Sequence, residues 1–114
     1  MPKLDSLGQF EQLVLGAVRM IENAYPVPVH RLVEQLYGKP VKFAAVYTAL
    51  DRLEQKGYVE SREADATPQR GHKPKRYYTI SPDGVDALRE SAATAGRFLE
   101  ILGTKPWEAA SDNE

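Results

Sequence analysis

Apolar residues recur at Phe10, Leu13, Val14, Ala17, Val18 and Ile21, the i, i+3, i+4, i+7 spacing of one buried helical face. The pattern predicts a first helix from near Ser6 to around Asn23, ended by the prolines of "YPVP", which cannot continue it. A second, shorter helix is predicted from Pro28, with Val29, Leu32, Val33 and Leu36 on one face and Gly38 as its stop. After the turn "GKP" a third runs from about Lys42 to Lys56. Phe43, Val46, Leu50 and Leu53 form its buried stripe, and Gly57 ends it.

There the period drops from about 3.6 to 2. "YVESRE", Tyr58 to Glu63, and "KRYYTI", Lys75 to Ile80, read as two strands joined by the polar loop Ala64 to Pro74. Alternation puts Tyr78 and Ile80 on one face, to meet Val59 in the core, and Lys75, Tyr77 and Thr79 on the other. "SPDG" restarts a helix, with Ser81 as N-cap, Pro82 at the first helical position and Asp83 at the positive end of the dipole. Val85, Leu88, Ala92, Ala95, Leu99 and Leu102 then make a heptad seam, broadened by Phe98 and Ile101 and closed by Gly103 and Pro106.

Three helices followed by a hairpin is the order of a winged helix-turn-helix, whose third helix enters the major groove while the hairpin reaches the flanking backbone. The expected fold class is α+β, mainly α. A winged-helix DNA-binding domain is expected over 1–80, a C-terminal dimerisation helix over 81–103 and a disordered tail over 104–114.

A chain of 114 residues suits one such domain. The absence of cysteine excludes disulfides, thiolate zinc sites and a cysteine nucleophile. His30 and His72 have no ligand pattern beside them and no phosphate loop is present, so neither metal nor cofactor is expected. No constellation of nucleophile, base and orienter can be drawn from the remaining hydroxyls and carboxylates, so the chain is not expected to be an enzyme. The apolar runs fall far short of the ~20 residues that span a bilayer, and "MPKLDSLGQF" lacks the apolar centre of a secretory signal. No membrane association and a cytoplasmic location are expected.

The net charge of −1 conceals a split. Residues 1–80 hold 12 Lys/Arg against 9 Asp/Glu, and residues 81–114 hold 3 against 7. Nucleic acid responds to local potential, so the total does not exclude it as a partner. In the wing Arg70, Lys73, Lys75 and Arg76, with His72 among them, form a cluster without an acid from Pro68 to Thr79. Such a run is either a solvated loop or a sequence-independent contact to phosphate. On a helical wheel Ala44, Ala45, Thr48 and Arg52 lie opposite the buried stripe of the third helix. Arg52 and Thr48 could donate to bases or phosphate and the alanines could touch thymine methyls. Asp51 beside Arg52 favours a plain solvated face instead. Lys42, near the helix start, is placed for phosphate.

The stretch "AVYTALDRLEQKGYVES", Ala45 to Ser61, followed by "GHKPKRYYTISPDG", resembles the PadR family of bacterial transcriptional regulators. Its members show a leucine-tyrosine pair and then "L..LE..G.I" in the recognition helix, and "G..(K/R)YY.(L/I)(T/S)..G" through the wing. The match covers about residues 7 to 90, with Val46 where the family has leucine and Ala44 and Ala45 in place of a small or hydroxyl pair. The resemblance implies a homodimer that represses genes on double-stranded DNA and is released by an inducer. It also implies that the hydroxyl of Tyr47, which the spacing alone places at the edge of the buried stripe, reaches the DNA backbone.

The last helix has little core of its own to cover, so its seam is expected to meet a second copy. The dimer interface is then drawn from Phe10, Leu13, Val14 and Val18 with Val85, Leu88, Ala92, Ala95, Phe98, Leu99 and Leu102. A C₂ dimer would read a pseudo-palindrome. The resemblance also implies that a small apolar inducer could sit between paired helices, against Phe98, Leu99 or Trp107, and plain packing is the other reading of the first two. The competing class is a winged helix used as a protein-interaction module, its basic hairpin meeting an acidic partner.

Overall fold

The computed structural model describes residues 7–64 and 75–103. Its elements are α1 (Gln9–Met20), α2 (Pro26–Tyr37), α3 (Phe43–Gln55), β1 (Val59–Ala64), β2 (Lys75–Ile80) and α4 (Pro82–Gly103). Three helices, an antiparallel hairpin and a final long helix make a winged helix with a C-terminal extension.

Where the boundaries differ from the expectation, a hydrogen bond explains the change. Helix α1 stops at Met20, three residues early, because Ala24 is needed elsewhere: its carbonyl accepts the Tyr78 amide at 2.8 Å, adding a one-residue bridge to the hairpin. Asn23 turns the chain between them in the left-handed region, at φ 56. Helix α2 starts at Pro26 rather than Pro28. Both prolines fit inside its first turn, where backbone N–H groups have no intrahelical acceptor to lose. The first helical bond runs from the Val29 amide to the Tyr25 carbonyl, at 3.2 Å.

Helix α3 ends in a Schellman motif. Gly57, at φ 80, donates to the Glu54 carbonyl at 2.9 Å and Tyr58 donates to that of Leu53 at 2.8 Å. Tyr58 is thereby used by the turn, and β1 begins one residue later than expected. The register pairs Val59 with Ile80, Ser61 with Tyr78 and Glu63 with Arg76. These pairs share the face turned to the core and α3, whereas Arg62, Tyr77 and Lys75 lie on the other.

The core joins Val14, Leu15 and Val18 of α1, Val29 and Val33 of α2, Val46, Leu50 and Leu53 of α3, and Val59 and Tyr78 of the hairpin. Burying each of the aliphatic side chains among them stabilises the fold by about 1.5–3 kcal/mol. Ala87 of α4 belongs to the same cluster, so the core continues past residue 80. Two expectations are corrected. Phe43 leaves the stripe of α3 and Ala49 takes its place among the buried residues. Leu36 of α2 is likewise exposed rather than buried.

Ser81 fixes the entry into α4. Its hydroxyl donates to the Gly57 carbonyl at 2.6 Å and accepts the Gly84 amide at 3.0 Å, while its own amide donates to the Tyr58 carbonyl at 2.9 Å. Gly84 then lies directly on that carbonyl: a Cβ there would come within 2.2 Å of the Tyr58 oxygen. The glycine is required for closeness, not for a turn.

Candidate nucleic-acid interface

Val46, Ala49, Leu50 and Leu53 hold α3 against the core. With 3.6 residues per turn the opposite strip is Ala44, Thr48, Asp51 and Gln55, all exposed. Ala45 and Arg52 flank it on the α1 side; Tyr47 and Glu54 flank it on the wing side. The expected reading residues Ala44, Ala45, Thr48 and Arg52 are therefore brought together on one accessible face, with Lys42 exposed at the N-cap. Tyr47 is 42% exposed, its ring edge-to-face with Phe43 at 5.8 Å.

An open cleft of about 450 Å³ separates α3 from the first turn of α1, lined by Gly8, Phe10, Glu11, Ala45, Thr48 and Arg52 among others. Glu11 is occupied by the fold. It accepts the Gly8 amide at 3.1 Å, the carboxylate half of a capping box, and the Lys56 ammonium at 2.8 Å. Burial alone would raise its pKa, but those two hydrogen bonds and the positive fields of Lys56 and Arg52 outweigh it and hold the carboxyl below its ordinary value.

The wing is clasped to α3 by a polar chain. Arg76 donates to Ser61 Oγ at 2.8 Å and to Glu63 Oε2 at 2.9 Å, and Ser61 Oγ donates to Glu54 Oε2 at 2.5 Å. Arg76 thus lies on the α3 side of the hairpin, with a cross-strand acid beside it that a reading of β2 alone does not reveal. Lys75 takes the other face, its ammonium 4.1 Å from the centroid of Tyr25. Tyr25 meets Tyr77 edge-on, and Arg62 covers Tyr77 at 4.9 Å. Arg70, His72 and Lys73 lie outside the described residues.

Below this clasp Tyr78 is buried, and its hydroxyl has no hydrogen-bond partner among the described residues. Burial first, then the fields of Tyr47, Asp51 and Glu54, partly opposed by Arg76, push its pKa up to about 12. His30 is bound into the α2–α3 turn: Nε2 lies 2.7 Å from the Val41 carbonyl and 3.4 Å from Glu34, which also accepts the Val41 amide at 3.0 Å. Among the described residues no group of three or more His, Asp or Glu side chains could hold a metal ion.

Residues 14–90 match the transcriptional regulator PadR-like family. The chain belongs to that family. Solved structures agree with the assignment. A PadR family transcriptional regulator from Eggerthella lenta DSM 2243 superposes on this PadR-like chain with a TM-score of 0.68 at 28% identity, covering 84% of this chain and 80% of that one. A PadR-like transcription factor from "bacteroid fragilis" gives 0.71 at 20% identity, covering 84% and 88%. Bacillus subtilis PadR in complex with operator DNA gives 0.60 at 19% identity, covering 72% of this chain and 46% of that longer one. At these lower identities the likeness is one of fold. No curated protein sequence matches the chain.

In this PadR-like chain the residues expected at a dimer interface divide into four groups. Val14 and Val18 are 0% and 4% exposed, so they pack inside the protomer and offer nothing to a partner; this corrects the expectation for both. Phe10, Leu13 and Leu88 are half-buried against the same core. Val85 and Ala95 are half-buried and Ala92 is exposed along α4. Beyond them Phe98, Leu99 and Leu102 are exposed by 58%, 66% and 60%, with Ile101 beside them. The split follows from α4 using small residues, Gly84 and Ala87, to dock before it leaves the domain. Trp107 lies outside the described residues. Among the described residues no helix is long and apolar enough to cross a membrane. Helical spacing misplaced two surface residues, Leu36 and Phe43, and the exposure of Phe43 depends on how α2 crosses the start of α3.

Proposed function

We propose that this chain is a cytoplasmic transcriptional repressor that binds a pseudo-palindromic operator as a homodimer and is released by a small apolar inducer. One observation carries the reading: the Glu54–Ser61–Arg76 chain ties the hairpin to the flank of α3 that carries Tyr47, which supports the use of helix and wing together on one side of the molecule. That is the pair of elements a winged helix applies to a duplex. The B. subtilis relative solved with operator DNA has the same fold, which supports this use of it.

In the proposal Thr48, Arg52, Ala44 and Ala45 meet base edges, while Lys42, Tyr47, Arg76, Lys75 and the wing residues Arg70, His72 and Lys73 meet the backbone. The exposed end of α4 supports pairing, because Phe98, Leu99, Ile101 and Leu102 would cover one another across a twofold axis. An inducer would enter the same apolar layer, against Phe98, Leu99 and Trp107. It could act only through unequal affinity for two arrangements of the dimer.

Selection from random duplexes with the purified chain tests the reading. An enriched inverted repeat is expected, with affinity falling about 10³ to 10⁵ fold between 50 and 200 mM salt if roughly six to ten phosphates are neutralised. Absence of enrichment together with salt-independent binding would refute it and favour a protein-interaction module.

A further inference from the structure

We infer that Phe43 reads a base: its ring takes the C5-methyl group of a thymine in the major groove. The inference rests on the proposed use of α3 as the reading helix and adds a contact that helical spacing assigns to the core.

Three observations carry it. The first is position: Phe43 opens α3, and the N-terminal residues of a reading helix are those that meet base edges. It is 41% exposed, and apart from its neighbour Tyr47, 42% exposed, the other accessible residues of the helix are small or polar.

The second is rigidity. His30 meets the ring edge-to-face at 5.5 Å and 65°, and Tyr47 meets it at 5.8 Å and 67°. His30 is itself fixed by the Val41 carbonyl and Glu34. A side chain held in place before binding loses little rotamer freedom when it binds. The arrangement differs from a loose surface phenylalanine, which has no such supports.

The third is chemistry. Phenylalanine can neither donate nor accept a hydrogen bond, so it cannot distinguish the polar edges of the major groove. The apolar feature displayed there is the thymine methyl. A methylated cytosine carries the same group at the same ring position, and thymine is the assignment made here.

The test uses the parent chain and its selected duplex, with deoxyuridine replacing each thymine in turn so that only a methyl group is removed. One position per half-site should lose about fourfold in affinity, the worth of one buried methyl. Phe43→Ala should still bind the duplex but show less than about a twofold penalty at that position. Placing 5-iododeoxyuridine there and irradiating should link the base to Phe43 of the parent chain, a readout that needs no variant to fold.

A selective binder whose deoxyuridine penalties are the same with and without Phe43, or whose crosslinks all fall elsewhere, would overturn this inference while leaving the proposed function standing. A gain at a methylated cytosine with no loss at any deoxyuridine would also overturn the thymine assignment. Failure of the parent chain to select any duplex would instead remove the proposed function itself.

Discussion

Gly84→Ala should be among the most damaging single-methyl additions to this protein. A Cβ at that position lies 2.2 Å from the Tyr58 carbonyl oxygen, 2.8 Å from Ile80 Cγ1 and 3.0 Å from the Tyr58 carbonyl carbon. The oxygen cannot yield, because it accepts the Ser81 amide at 2.9 Å in the turn that leaves α3. Overpacking a tight site costs about 1–3 kcal/mol, and rigid backbone puts this case at the upper end. Replacing a helical glycine by alanine returns up to about 1 kcal/mol. The net loss should be about 2 kcal/mol, a fall in melting temperature of about 8–16 °C for a domain of this size. Gly96→Ala is the control, since it adds the same methyl to the same helix with nothing within 4 Å. It should gain about 0.5–1 kcal/mol. Thermal and urea unfolding of the three chains at matched concentration measure the difference. If Gly84→Ala melts with the parent, α4 does not dock on the Tyr58 carbonyl as described.

Other outcomes follow from the same geometry. Tyr78→Phe removes a buried hydroxyl without a partner among the described residues and should be neutral to stabilising by about 1 kcal/mol at neutral pH. Because the folded phenol titrates near 12 against an ordinary 10.0, its contribution is intact below pH 10. It is lost as pH rises from 10 toward 12, where the unfolded chain releases the proton first. About 2–3 kcal/mol of alkaline destabilisation should vanish in the variant, read by unfolding across that range. Glu63→Gln removes the acid beside Arg76 and should raise affinity for every duplex by about threefold to tenfold at low salt, with a steeper salt slope. Equal affinity would mean that Arg76 does not approach phosphate. Lys42→Ala should weaken all sequences alike and reduce the salt slope by about 1, whereas Arg52→Ala or Thr48→Ala should change the order of preference among sites in a competition assay.

Much of the architecture was legible because single residues commit the chain to it. Gly57 permits the Schellman end of α3, Ser81 and Pro82 start α4, and the alternation of "KRYYTI" separates Tyr78 from Tyr77. Local rules failed where a distant segment made a competing demand. Ala24 stops α1 early because β2 needs its carbonyl, and Phe43 is exposed because α2 supplies His30 rather than a cavity at that point. The wing cluster looked free of acids along β2, but register brings Glu63 across from β1. Val14 and Val18 illustrate a further limit: an apolar stripe on α1 announces burial and does not say whether its own protomer or a second copy provides the cover. Why Gly84 must be glycine was also out of reach, since the spacing marks the residue and only the approach of α4 to Tyr58 gives the reason.

The Ser81 side chain touches the exit of α3 through Gly57 and the first turn of α4 through Gly84, so one small hydroxyl acts as the rivet between reading head and arm. A head riveted in this way cannot swivel on its arm; tilting the arm must carry the head with it. In the proposed dimer, distance between two such heads would be governed at the far end of the arms, tens of residues from any nucleotide, with leverage set by the length of α4.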